Sequence, residues 1–201
     1  MCSLTKAAWL TTLALVAAWP AWAQVVRYGD CSIDWELLQL PDCALSVKGN
    51  QLYVSQEFAT DVFLHRVTGV AATPVIVSGH QWAGTNLPKR GWAYFDRNGL
   101  VVVQNVATMD NGPSEFHRGL VRVTREGKWG LAGLNGELVV PMQYDGLLDY
   151  KAGYGWLACT ECRTVHQGDY SWFSGGNWVA IDHLGKVIGK TNDPTASHRE
   201  K

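Results

Sequence analysis

One spacing recurs three times along the chain. Trp92-Ala-Tyr-Phe-Asp-Arg-Asn-Gly99, Trp129-Gly-Leu-Ala-Gly-Leu-Asn-Gly136 and Trp178-Val-Ala-Ile-Asp-His-Leu-Gly185 all read tryptophan, six residues, glycine. A short run follows each: Leu-Val-Val-Val after Gly99, Glu-Leu-Val-Val-Pro after Gly136, Lys-Val-Ile-Gly after Gly185. The first two tryptophans are 37 residues apart and the next two 49, so an insertion sits between Cys159 and Gly176. A second correspondence joins Phe116-His-Arg-Gly119-Leu-Val-Arg-Val to Tyr150-Lys-Ala-Gly153-Tyr-Gly-Trp-Leu. Asn98-Gly99 and Asn135-Gly136 suit the positive φ of a two-residue hairpin turn, so each unit reads as a hairpin carrying one indole. A lone hairpin cannot bury its apolar face, whereas stacked hairpins can. Trp92, Trp129 and Trp178 are therefore expected in the core, as large buried rings whose N–H groups need partners.

The rest of the chain agrees with strands. Leu52-Tyr53-Val54, Val75-Ile76-Val77, Leu100 to Val103, Leu120 to Val123 and Leu138 to Val140 are short apolar runs bounded by turn residues. No window after Leu64 keeps the apolar spacing of a long helix. The stretch from Ser32 to Leu40 fits one or two helical turns capped by Ser32, or an edge strand. The tail 190–201 is polar, contains Pro194, and is expected to be disordered.

Residues 1–23 have the layout of an export signal: Lys6, an apolar run from Ala7 to Trp19, then Ala21-Trp22-Ala23. Cleavage after Ala23 is expected to leave 178 residues with formal charge −2, periplasmic or secreted. No later segment is long and apolar enough to span a bilayer. No basic stripe is present, and nucleic-acid binding needs one. Cys31, Cys43, Cys159 and Cys162 remain, an even count suited to two disulfides in an oxidising compartment. The sequence does not fix their pairing; Cys31 with Cys43 and Cys159 with Cys162 is the local choice.

Gly127-Lys128-Trp129-Gly130-Leu131, Asn135-Gly136, Val139-Val140-Pro141 and Tyr144-Asp145 together resemble one complete unit of the WG-repeat proteins, a bacterial β-rich family of tandem repeats. The resemblance runs from Gly91 to Gly189. The unit at Trp92 has Ala93 in place of the glycine and lacks the proline and the Tyr-Asp pair. The unit at Trp178 has Val179 and ends before its second half. The resemblance implies a repeat scaffold and brings no catalytic residues with it. The organisation expected is a signal peptide over 1–23, then a β-rich capping region or degenerate repeat over 24–90. WG-like repeats follow over 91–189, with an insertion at 159–176.

Candidate chemistry is sparse. Cys159-Thr-Glu-Cys162 could be a structural disulfide, a redox pair or half of a metal site with His166 and His183. A redox pair wants a helix N-terminus beside it, and zinc wants four ligands, so the disulfide is preferred. Gly153-Tyr-Gly155-Trp-Leu-Ala158 matches a dinucleotide pattern but lies within a repeat strand and is set aside. His65, His80 and His117 form no metalloprotease motif, and no G-x-S-x-G elbow occurs. Glu161 and Asp169 flank the insertion and suggest a glycan-hydrolysing pair only weakly. The insertion itself is aromatic: Tyr154, Trp156, Tyr170, Trp172 and Phe173 lie close together. They form either an exposed platform for a glycan or protein partner, or a loop that packs its own rings. Tyr154, Trp156, Tyr170 and Trp172 are the candidate binding residues.

The fold expected is all-β, tandem hairpins stacked as a small open array, with a closed barrel or propeller-like ring as the alternative. The function expected is a non-catalytic binding module of the cell envelope, with no cofactor and no metal. The rivals are an envelope hydrolase using the insertion, and a Cys-x-x-Cys redox or metal protein.

Overall fold

The computed structural model describes residues 25–28, 31–34, 40–65, 73–77, 80–87, 91–108, 113–168, 170–192 and 194. The segment expected to be an export signal, residues 35–39, Asp169 and most of the polar tail lie outside them. The described chain begins with β1 (Val25–Tyr28) and β2 (Cys31–Asp34), so Ser32 sits in a strand rather than capping a helix. A 3-10 turn at Asp42–Ala44 leads to the hairpin β3 (Leu45–Lys48) and β4 (Gln51–Val54). The one helix described, α1, spans Gln56–His65.

A meander follows: β5 (Thr73–Val77), β6 (His80–Leu87), β7 (Gly91–Phe95), β8 (Val101–Val106), β9 (Leu120–Arg125), β10 (Lys128–Gly133) and β11 (Leu138–Tyr144). These seven form one antiparallel sheet in sequence order. β12 (Gly146–Leu147), β13 (Trp156–Thr160), β16 (Asn177–Ile181) and β17 (Val187–Thr191) form a second sheet. The hairpin β14 (Arg163–Gln167) and β15 (Tyr170–Ser174) lies between β13 and β16 in the chain and pairs with no other described strand. The architecture is all-β and open. No described sheet closes on itself, so the barrel alternative is not what is found. β17 runs to Thr191, so the strand takes the first two residues of the segment expected to be disordered.

α1 is the one helix among the strands described between residues 25 and 87. Ser55 caps it: the hydroxyl accepts from Phe58 N at 3.1 Å, and the Ser55 carbonyl accepts from Ala59 N at 3.0 Å. Phe58, Ala59 and Val62 are buried, with Phe63 partly so, which makes one apolar stripe. The stripe meets Leu52 and Val54 of β4 and Phe95 of β7.

The three Trp-led hairpins close alike. Asp96 N donates to Leu100 O, Gly133 N to Glu137 O and Asp182 N to Lys186 O, at 2.8–3.0 Å. The glycine three residues on donates back each time, Gly99 to Asp96, Gly136 to Gly133 and Gly185 to Asp182. Those glycines have φ of 77–78°, while Asn98, Asn135 and Leu184 before them do not enter the left-handed region. The turn is thus a three-residue loop with a glycine bulge, not the two-residue turn expected. In the first and third hairpins an aspartate stabilises it. Asp96 Oδ1 accepts from Asn98 N and Leu100 N, and Asp182 Oδ1 from Leu184 N and Lys186 N, all at 2.9 Å. The two-residue turns lie elsewhere. Arg118-Gly119 and Glu126-Gly127 have positive φ at both positions.

The core forms three clusters. One gathers α1, β4 and the first half of the meander; a small one joins Tyr94, Val103 and Val106 to Val121, Val123 and Ala132. The largest holds Trp129, Trp156, Phe173 and Trp178 with Leu131, Leu147 and Ile181. Trp129 and Trp178 are buried as expected, and Trp92 packs half-buried on the small cluster. The Trp178 N–H donates to Gly175 O at 2.9 Å.

Candidate interaction surface

The cysteines pair locally. Cys31 bonds to Cys43 and Cys159 to Cys162, with Cα separations of 5.5 and 6.0 Å. The second bridge spans the tight turn between β13 and β14, where Glu161 has a φ of 61°. Cys159 is buried and Cys162 half-buried. Gly176 leads into β16 and sits against the Thr160 carbonyl and the Cys162 backbone, so the hairpin's entry and exit touch.

Asp145 ties this neck to the body. Its N–H donates to Cys159 O at 2.9 Å, and its Oδ2 accepts from Glu161 N at 2.7 Å. Its Oδ1 pairs with the Lys128 amine. Hydrogen bonding from Lys128, then from the Glu161 amide, holds its carboxyl below the usual carboxylate range. Glu161 in turn accepts from Asn177 Nδ2 at 3.0 Å, so the carboxylate suggested for hydrolysis serves the neck. Sequence reading missed Asp145 in this role; the signal was the Tyr-Asp pair, whose partner is remote in sequence.

Phe173 anchors the hairpin. Side chains alternate along β15, and Phe173 points inward and is fully buried. It meets Trp129 edge-on at 5.2 Å and Trp178 at 6.4 Å. Gly146 leaves room for it: a Cβ there would lie 2.7 Å from both the Phe173 ring and Cys159 Sγ. Beneath Trp129 lies Arg122, a buried cation that sequence reading also missed. It donates to Leu147 O at 2.9 Å, pairs with Asp149 at 2.6 Å, and sits 5.8 Å from the Trp129 ring.

The opposite face of the hairpin is outward. Tyr170 is 76% exposed and Trp172 half-buried; they stand across from Gln167 and Val165. Arg163, opposite Ser174, shares that face. The other two candidates fall elsewhere. Trp156 is 1% exposed and packs on Tyr150 at 4.9 Å, so it belongs to the core and leaves the binding set. Tyr154 is exposed, on a separate turn, with Lys151 Nζ 5.2 Å from its ring. The outward face therefore carries the exposed Tyr170 beside the half-buried Trp172.

Both thiols of Cys159-Thr-Glu-Cys162 are in the bridge, and strands rather than a helix follow it. Among the described residues no three His, Cys, Asp or Glu side chains gather as a metal site. His166 Nδ1 lies 2.8 Å from Ser171 Oγ, a nucleophile-to-base distance. His166 is exposed and directly opposite Ser171, so the pair reads as a cross-strand tie. No helix among the described residues is long and apolar enough to cross a membrane. No protein-family model, curated protein or solved structure matches the chain.

Proposed function

We propose that this is an exported, non-catalytic interaction module of the WG-repeat type, engaging a protein or glycan partner of the cell envelope through the outward face of β14–β15. One observation carries the reading. Tyr170 and Trp172 are presented on a hairpin that pairs with no other described strand, yet is fixed at its base by a disulfide, Asp145 and Phe173. Such a mount lowers the ordering cost of binding through aromatic side chains. The repeat assignment is supported by the shared turn chemistry of the three Trp-led hairpins. Export is supported by the signal-like start and by two disulfides.

The test compares wild type with a Tyr170→Ser, Trp172→Ser double variant on a panel of soluble envelope oligosaccharides and peptides, by calorimetry. Binding by wild type and its loss in the double variant, with near-UV dichroism otherwise native and Tyr154→Ser unaffected, is the expected result. Binding that survives the double variant, or turnover of a bound oligosaccharide, would replace this reading with another surface or with the hydrolase.

A further inference from the structure

The two faces of the β14–β15 hairpin use their polar groups differently. On the inward face His166 and Ser171 tie to each other at 2.8 Å, on the side of the buried Phe173. On the outward face Arg163 stands across from Ser174, Val165 from Trp172, and Gln167 from Tyr170. Among the described residues, the Arg163 guanidinium, the Gln167 amide, the Tyr170 hydroxyl and the Trp172 indole N–H enter no hydrogen bond or ion pair. The two rings are uncovered as well. Tyr53, Phe63, Trp129, Tyr150 and Tyr154 each carry a cation of the chain itself, 5.1–5.9 Å from the ring centre. Among the described residues, Tyr170 and Trp172 carry none.

The charge of this face is one-sided. Arg163 is exposed and is the one full charge on it among the described residues. The nearby carboxylate of Glu161 is bonded to Asn177 and makes no ion pair with Arg163. Arg163 lies diagonal to Trp172 across the strand pair, a separation that a long side chain spans. Tyr170 and Trp172 are two residues apart on one strand, so about 7 Å separates their Cα atoms. A cation, an indole and a phenol therefore follow one another along one flat face, with an amide beside the phenol.

Resting on the reading of this face as the binding surface, we infer that its ligand is an acidic glycan, a chain of sugar rings bearing carboxylates. A sugar ring offers an apolar C–H face that stacks on an aromatic ring, and polar groups at its rim. Trp172 and Tyr170 take the stacking faces, while Gln167 and the Tyr170 hydroxyl meet hydroxyls at the rim. The carboxylate goes to Arg163, whose planar fork matches it with two parallel hydrogen bonds. A neutral glycan stacked on Trp172 would take water from Arg163 and give it no partner, which opposes binding. An extended peptide would add to an open edge of β14 or β15, where affinity comes from main-chain bonds and not from rings on the flat face.

The experiment is titration calorimetry of the purified protein with a uronic-acid tetrasaccharide, with the same tetrasaccharide methyl-esterified at its carboxyls, and with tetra-glutamate. Wild type is expected to bind the uronide, less tightly as salt rises. It should bind the ester about tenfold more weakly, the usual weight of a hydrogen bond to a charged group. Arg163→Gln should bring the uronide down to the affinity of the ester and remove its salt dependence. Tyr170→Ser with Trp172→Ser should abolish binding of both. Near-UV dichroism of Arg163→Gln and denaturant unfolding of the ring variant check that each folds. Uronide and ester bound equally by wild type, and both lost in the ring variant, would overturn the acidic ligand and leave the binding face standing. Uronide binding that survives the ring variant would overturn the face and the inference with it. Tetra-glutamate bound as tightly as the uronide would mean that charge alone is read, and overturns the glycan. So does a wild type that does not bind the uronide.

Discussion

Asp145 illustrates how one side chain serves several elements. Its partners Lys128 and Glu161 lie 17 and 16 residues away, one before it and one after. Both bonds are to the ionised carboxylate, and both favour the charged form. A folded-state pKa below the unfolded one means that the native state binds fewer protons, so stability rises with pH through the carboxylate range. The contribution is fully present above the unfolded pKa, near 4 for an ordinary aspartate. It fades as pH falls through the lower folded value. Asp145→Asn is expected to cost about 1 kcal/mol at pH 7, where a charge-assisted bond and a partly exposed ion pair are lost. Urea unfolding of both proteins at pH 7 and in the acid range checks this. The gap should close as the wild-type carboxyl protonates. A gap that persists unchanged at low pH would show that the amide, not the charge, decides.

At the scale of the element, β14–β15 depends on one inward ring. Phe173 fills the space between Trp129 and Trp178, and Gly146 permits it. Phe173→Ala is expected to cost about 3–5 kcal/mol, the range for removing a buried phenylalanine. With its anchor gone, the hairpin should become the first site of proteolysis, after Arg163. Denaturant unfolding gives the loss and limited trypsin digestion locates it. Unchanged cleavage at the hairpin would mean that the disulfide and Asp145 hold it alone. The sequence made the strands legible because their β-branched runs are bounded by turn residues, as at Val101 to Val103 and Leu120 to Val123. The cysteine pairs were the local choice because closure favours near neighbours. Other features were not legible, each for a physical reason. α1 is ten residues long, shorter than the windows in which a helical period stands out. Its signal was local: Ser55, then Phe58, Ala59, Val62 and Phe63 at helical spacing. The Asn-Gly turns took a third residue because an aspartate or glycine four positions after the tryptophan closes the loop. Which aromatics of the insertion face outward depends on strand parity. Parity there is set by Gly146 and the tryptophans, all distant in sequence, so Phe173 and Trp156 were grouped with rings that are exposed.

The whole molecule has a weak joint. β8 and β9 belong to one sheet, yet Val106 opposite Val123 is the one register pair between them. On one side lie α1, β4 and the core around Phe95; on the other lies the core around Trp156 and Phe173. Among the described residues the joint is straddled by the small cluster of Tyr94, Val103, Val106, Val121, Val123 and Ala132, by Ala107 and by the Gly136 turn against Val102. In a stacked array stability is close to a sum over units and their neighbours, so damage on one side should be felt mainly there. Phe58→Ala removes a fully buried ring 5.8 Å from Phe95, at a cost of about 3–5 kcal/mol by the same reckoning. Native-state hydrogen exchange should then show β4 to β8 losing protection, with β9 to β17 close to wild type. If protection fell equally throughout, the small cluster would be coupling the two halves into one cooperative unit. The Phe173→Ala variant should give the mirror image, with the loss confined to β10 onward. Opposite patterns from two core phenylalanines would separate a stacked array from a single domain that merely looks repetitive.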